Sequence, residues 1–285
     1  MLWRRRGIEV KTPDQVRAMR AAGLVVGRTL EVLRSAVVPG VTLAELDALA
    51  ERTIRDAGAT PSFLGYQGFP ATICTSVNDV VVHGIPDDTV VADGDLVSID
   101  CGAVVDGWHG DAAVTVPVGE VGAAQRALVA ATETAMWAGI AAARPGGRVG
   151  DVSAAVEASL RAAGYSGIVR DYTGHGIGTA LHQAPDVPNV GRAGRGPRLV
   201  AGMVLAVEPM VTLGTDEVDV DDDEWTVRTL DGSRAAHSEH TVALGEDGPW
   251  VLTALDGGRA GLAGPGVEVA PLDYGDDRRP RGGSQ

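Results

Sequence analysis

"VSIDCGAVVDGWHGDAAV", residues 97–114, decides how this chain is to be read. Its valines, alanines and isoleucine suit a buried sheet, and Asp106-Gly107 is a two-residue hairpin signal, so Val105 should face Trp108 and Asp100 should face Ala113. Asp111 then stands two positions from that partner. Because side chains alternate faces with a period of two, Asp100 and Asp111 project from one face as diagonal neighbours, roughly 7 to 8 Å apart between backbones. A one-residue bulge would break that parity, whereas a two-residue slip would keep it. An isolated buried charge costs several kcal/mol, so two carboxylates at this reach call for a proton or a cation between them.

Helical patterns flank the hairpin. Thr12, Pro13 and Gln15 form a capping-box pattern with proline at the first helical position, predicting a helix that closes at Pro39-Gly40. A second begins near Thr42, with Glu45 three residues on, and stops at Gly58; later helices are predicted over about 121–142 and 150–163. Short β-branched runs such as "MVLAV" and "HTVAL" complete an α+β mixture. The expected organisation is an N-terminal extension over 1–11, one catalytic domain over 12–255, and a disordered Gly/Pro/Asp/Arg-rich tail over 256–285.

An internal echo supports a duplicated architecture. "PGVTLAELDALAERTIRDAG" from Pro39 and "PGGRVGDVSAAVEASLRAAG" from Pro145 share Pro, Gly, Ala, Glu, Arg, Ala and Gly in an ungapped register. The strands repeat the order: "GDLVSID" ends at Asp100, "GMVLAVE" ends at Glu208, and Asp111 and Glu239 each precede a short β run. Four carboxylates then converge across a pseudo-two-fold axis, which suits two divalent ions about 3.5 to 4 Å apart. Histidines in tight glycine or pocket-like contexts join them: His83 in "VVHGIP", and His175 and His182 in "TGHGIGTALH". Imidazole among carboxylates is compatible with manganese, iron, cobalt or zinc. One Asp in a hairpin is usually a turn residue and one His beside Gly a loop residue; the ordered, duplicated pattern is what outweighs that reading.

Composition narrows the classes. The 285 residues, 45% hydrophobic, allow a substantial core, and a net charge of -14 argues against a broad basic surface for nucleic acid. Only Cys74 and Cys101 occur, which excludes a disulfide framework and a cysteine-rich zinc finger and fits a reducing cytoplasm. "MLWRRRGIEV" has charge but no apolar run behind it, and no segment approaches 18 uninterrupted apolar residues, so a soluble, unexported chain with no membrane partner is expected. GxSxG and HExxH are absent, and the acidic run "TDEVDVDDDEW", residues 215–225, has Glu224 where a calcium loop needs Gly, so it reads as a solvated loop.

"YQGFPATICTSVNDVVVHGIP", "DLVSIDCGAVVDGWHGDAAVTV", "YTGHGIGTALHQAP", "GMVLAVEPM" and "WTVRTLDGSRAAHSEHT" resemble the type I methionine aminopeptidases, from about Thr12 to Leu252. The resemblance implies the pita-bread fold, two pseudo-two-fold α/β halves with antiparallel sheet around a dinuclear metal site. It implies Asp100, Asp111, His175, Glu208 and Glu239 as ligands of two divalent ions (Co, Mn, Fe or Zn), with Asp111 and Glu239 bridging. Glu208 would also shuttle the proton, His182 would contact the substrate near the scissile carbonyl, and His83 its amide. Phe63, Tyr66, Phe69, Cys74, Leu181 and Trp225 match the apolar slot for methionine, Leu181 replacing an aromatic found in many bacterial members.

The implied activity is removal of initiator methionine from chains with a small second residue, acting on peptide or nascent-chain N-termini, with a transient ribosome contact, no direct nucleic-acid readout and a monomeric state. Two rivals stand beside it: an Xaa-Pro peptidase of the same fold, which usually carries a further N-terminal domain, and a non-catalytic binding protein, which typically lacks ligands that are all present here.

Overall fold

The computed structural model describes residues 7–269, and the 97–114 stretch forms the hairpin in the predicted register. Strand Leu96–Val105 pairs antiparallel with Trp108–Pro117, placing Val105 opposite Trp108, Asp100 opposite Ala113 and Gly102 opposite Asp111. Asp106 and Gly107 take φ of 49° and 80°, the positive values a two-residue turn of this hand requires. Ile73–Val77 pairs along the other edge of Leu96–Val105, which Thr60–Pro61 extends.

Helices α1 (Pro13–Ala36) and α2 (Leu43–Asp56) cover this sheet. Both open with reciprocal capping boxes, Thr12 with Gln15 and Thr42 with Glu45, satisfying backbone groups that a helix start leaves orphaned. Val26, Leu30 and Leu33 recur at helical spacing on α1 and pack with Leu46 and Ile54 of α2 against Ile73, Val97 and Ile99. A Cβ at Gly23 or Gly27 would run into the carbonyls of Leu252 and Thr253, so glycine lets α1 also lie directly on the later chain.

The second half repeats the plan. Helices α3 (Ala123–Ala142) and α4 (Val149–Ala162) cover a sheet ordered Pro249–Val251, His240–Leu244, Val204–Val207, Gly174–Gly176, Gln183–Val187. Leu128, Ile140, Val156 and Leu160 pack there on Leu205, Val207 and Val242, a core separate from that of the first half. Two helices on a sheet with a pair of acidic residues on adjacent strands thus occur twice, as the echo implied, although Asp100 and Asp111 stand within their strands and Glu208 and Glu239 just beyond the ends of theirs.

The halves meet along the 108–117 strand. Ala113 N–H donates to the Glu239 carbonyl (3.3 Å) and Glu239 N–H to that of Ala113 (2.9 Å). Threonine hydroxyls continue the seam where backbone pairing stops: Thr241 accepts from Asp111 N–H (3.1 Å) and donates to Asp111 C=O (2.7 Å). At the other end Thr115 donates to the His237 carbonyl (2.8 Å) and accepts from His237 N–H (2.9 Å). Asp111 and Glu239 are therefore placed by one another's strands.

Two expectations change. The acidic run 215–225 is not simply a loop: Val218–Val220 pairs with Val227–Thr229, which in turn pairs with Val80–Val82. Arg228 ties it down through Asp79 and Asp221, both at 2.9 Å, so charges that looked merely solvated close a hairpin. The expected tail also starts too early. Residues 259–263 form a short helix, α5 (Arg259–Ala263), whose Leu262 is fully buried in the second core. The small residues that suggested disorder instead let the chain lie flat, since a Cβ at Gly261 would strike the Trp137 ring. Residues 270–285 and 1–6 fall outside the described residues.

Candidate metal centre

Each of the five predicted ligands arrives from a separate short segment at the seam. Asp100 and Asp111 come from the hairpin, His175 from Gly174–Gly176, Glu208 from just after Val204–Val207, and Glu239 from just before His240–Leu244. Asp111, His175 and Glu239, all buried, each offer a ligand atom within 4.8 Å of the others. His175 Nε2 lies 3.4 Å from Glu208 Oε1 and 4.0 Å from Asp111 Oδ2, and the Asp100 and Asp111 carboxyls hydrogen-bond each other. All five therefore belong to one cluster.

The electrostatics are those of a cation site. Burial raises the carboxyls of Asp111, Glu208 and Glu239 well above their ordinary range, and the neighbouring carboxylates push the same way. Burial lifts Asp100 to about 7. Asp100 Oδ1, Asp111 Oδ1, Glu208 Oε1 and Glu239 Oε1 are buried without a hydrogen-bond partner, an arrangement that protein groups alone leave unfavourable. His175 donates from Nδ1 to the Gly176 carbonyl (3.0 Å), leaving Nε2 with its lone pair toward the carboxylates. Burial holds that imidazole down to about 3, hence neutral. Four carboxylates and a neutral imidazole fit two divalent ions of the manganese, iron, cobalt or zinc type.

Two further histidines line the approach. His83 takes φ of 60°, a strained value for a non-glycine residue, and packs its ring against Tyr172 (5.5 Å between centroids) and Trp225 (6.5 Å). Burial lowers it to about 4. His182 is exposed as a residue, yet its ring is enclosed enough that burial lowers its pKa; it stacks edge-on against His175 at 4.3 Å and hydrogen-bonds the Tyr66 hydroxyl through Nδ1 (2.8 Å). The apolar residues converge too: Phe63, Phe69, Cys74 and Leu181 are buried in one cluster, with Tyr66 and Trp225 packed on its edge. Phe69 meets Trp225 edge-on at 5.0 Å.

Sequence reasoning missed three supporting residues. His237 is buried, and its Nε2 lies 3.9 Å from Glu208 Oε2 without a hydrogen-bond partner. It stands two positions before Glu239 in "AAHSEHT", and that same-face spacing could have flagged it. Asn189 donates to the Glu208 carbonyl (3.1 Å), and Thr241 grips both backbone groups of Asp111; no local motif marks either.

A helix-covered, two-half antiparallel fold enclosing a buried carboxylate and histidine cluster defines a metal-dependent hydrolase of the pita-bread type. The profile of metallopeptidase family M24 matches residues 17–246, and the chain belongs to that family. It is 56% identical over 255 residues to methionine aminopeptidase 1 of Mycobacterium tuberculosis, covering 87% of this chain and 96% of that protein. The crystal structure of methionine aminopeptidase from Thermotoga maritima superposes with a TM-score of 0.85 at 42% identity, covering 87% of this chain and all of that one. The Xaa-Pro dipeptidase from Bacillus anthracis shares the fold alone, with a TM-score of 0.70 at 23% identity, and this chain spans 61% of its length.

Proposed function

We propose that this chain hydrolyses the first peptide bond of polypeptides beginning with methionine and a small second residue. The observation that carries this reading is the meeting of two features, a cluster of five candidate ligands, three of them buried, and an apolar cluster beside it, where Cys74 stands opposite Asp100. Asp100, Asp111, His175, Glu208 and Glu239 would hold two divalent ions. Such ions supply Lewis acidity, lowering the pKa of water and polarising a peptide carbonyl.

The remaining work falls to side chains. Phe63, Phe69, Cys74 and Leu181, each only 2–6% exposed, with the rings of Tyr66 and Trp225, enclose an unbranched apolar side chain and keep water from it. His182 orients the scissile carbonyl and His83 the amide; because burial keeps both neutral, each can present a single N–H without adding charge. Glu208, made a stronger base by burial, would accept a proton as the carboxylate from the attacking water and return it to the leaving amine.

The substrate is a peptide or nascent-chain N-terminus. We further infer a cytoplasmic monomer that touches the ribosome transiently. The test is turnover of Met-Ala-Ser against Ala-Pro peptides by chelator-treated protein reloaded separately with manganese, iron(II), cobalt and zinc. Release of methionine with at least one metal is expected. Cleavage of the Ala-Pro peptide alone, or of neither with any metal, would refute the reading.

A further inference from the structure

We propose that the Tyr66 hydroxyl is a positioning group for His182, selecting the tautomer that carries its proton on Nε2. The inference rests on the functional reading above and extends it, because there Tyr66 serves only as an apolar wall. Its hydroxyl is 2.8 Å from His182 Nδ1, although the two residues are 116 positions apart. The rings pack at 5.4 Å between centroids, so the contact is held by more than one hydrogen bond.

The segment presenting Tyr66 is built to fix it. Gly65, Gln67 and Gly68 take φ of 82°, 50° and 94°, and for Gln67 that backbone carries strain of about 1 kcal/mol or more. Tyr66 N–H donates to the Phe63 carbonyl (2.8 Å), Phe69 N–H to that of Tyr66 (2.9 Å), and Gly65 N–H to that of Phe69 (2.8 Å). Four residues are thus locked in a tight coil whose product is the direction of one phenol.

The chemistry follows from comparing the two histidines of the 174–183 segment. His175 gives its Nδ1 proton to a carbonyl, which can only accept, and so keeps a lone pair on Nε2, as a ligand must. His182, seven residues on and in ring contact with it, meets a hydroxyl instead. A substrate carbonyl can only accept, so a productive His182 needs Nε2–H. Its Nδ1 must then accept, and the Tyr66 O–H is the donor at that atom. One fold segment therefore sorts adjacent imidazoles into a ligand and a donor by the partner given to each Nδ1.

Two measurements on the full chain test this. In the 15N spectrum of the metal-loaded wild type, the His182 imidazole, assigned by its loss in His182→Ala, should show a protonated Nε2 and a bare Nδ1. Tyr66→Phe should lose that bias. A wild-type spectrum with the proton on Nδ1 would overturn the proposal whatever the activity. Turnover of Met-Ala-Ser supplies the second arm: Tyr66→Phe keeps the ring wall, so KM should hold while kcat falls about tenfold, as for loss of one orienting partner. In a His182→Ala background the same change should cost nothing further. Equal losses in both backgrounds, or no loss in the wild type, would overturn the proposal; an inactive wild type would refute the functional reading instead.

Discussion

Removing metal from this protein should make its stability fall as pH rises above about 6.5, and the titrating groups define the window. Asp100 is ordinarily near 3.8 and is held near about 7 in the fold, while Asp111, Glu208 and Glu239 are held well above their usual values. A carboxyl raised on folding keeps its proton in the native state and loses it on unfolding, so stability is lost as pH climbs toward the folded value. Histidines oppose this at lower pH. All six are depressed by burial, His175 and His237 to about 3 and His83 and His240 to about 4. Their contribution therefore grows as pH rises to their unfolded value of 6.5 and is constant beyond it. Lys11, depressed to about 8 from 10.5, adds stability only above about 8. Between about 6.5 and 8 the carboxyls act alone. Each proton the native cluster retains there should cost about 1.4 kcal/mol per pH unit, so even one retained proton makes a difference of about 2 kcal/mol across the window. Urea denaturation of chelator-treated protein at the two ends of that window measures it, with manganese-loaded protein, whose ligands are already deprotonated, as the flat control. Chelated protein equally stable at both ends, or more stable at the upper one, would refute the account of the cluster.

Asp100→Asn should abolish retention of two ions per chain and cut turnover by ~10²-fold or more, yet leave the chelated chain no less stable, read by metal analysis and thermal melting. Thr241→Val keeps the side-chain volume but strands both backbone groups of Asp111, and should cost about 1–3 kcal/mol in urea denaturation with weakened metal retention. Gly23→Ala forces a methyl into the Leu252 carbonyl and should cost about 1–3 kcal/mol with metal content unchanged, since α1 carries no ligand.

What could be read beforehand depended on how far apart in the chain the interacting residues lie. The Asp100–Asp111 relation follows from a turn five residues away from Asp111 and strict alternation along two strands, so it was available from sequence in full register. Helix starts at Thr12 and Thr42 were equally local. The seam was not: Thr115 meets His237 across 122 positions and Asp111 meets Thr241 across 130, and nothing near either residue marks the pairing. His237 was overlooked for the same reason, because its role comes from where Glu208 sits. Composition misled at Arg259–Ala263, where glycines that suggest an unfolded tail serve to fit the chain against Trp137. The acidic hairpin was misread because its neutralising Arg228 belongs to the next strand.

The same long-range seam explains why so unfavourable a cluster can exist. Each half contributes ligands from strands anchored in its own apolar core, so neither half can withdraw a carboxylate from the cluster without breaking a sheet. The Ala113–Glu239 pairing then fixes the two sets against each other through backbone, which has no rotamers to relax. With the backbone fixed and the carboxyls buried, their repulsion is relieved by protons when metal is removed and by cations when it is present. That rigidity is what holds His175 and His182 in ring contact at the edge of the apolar slot. A site assembled at a seam between two cores takes its geometry from both, which is why changes at Thr241, which holds the backbone of Asp111 directly, should reach the metal while changes at Gly23, whose helix carries no ligand, should not.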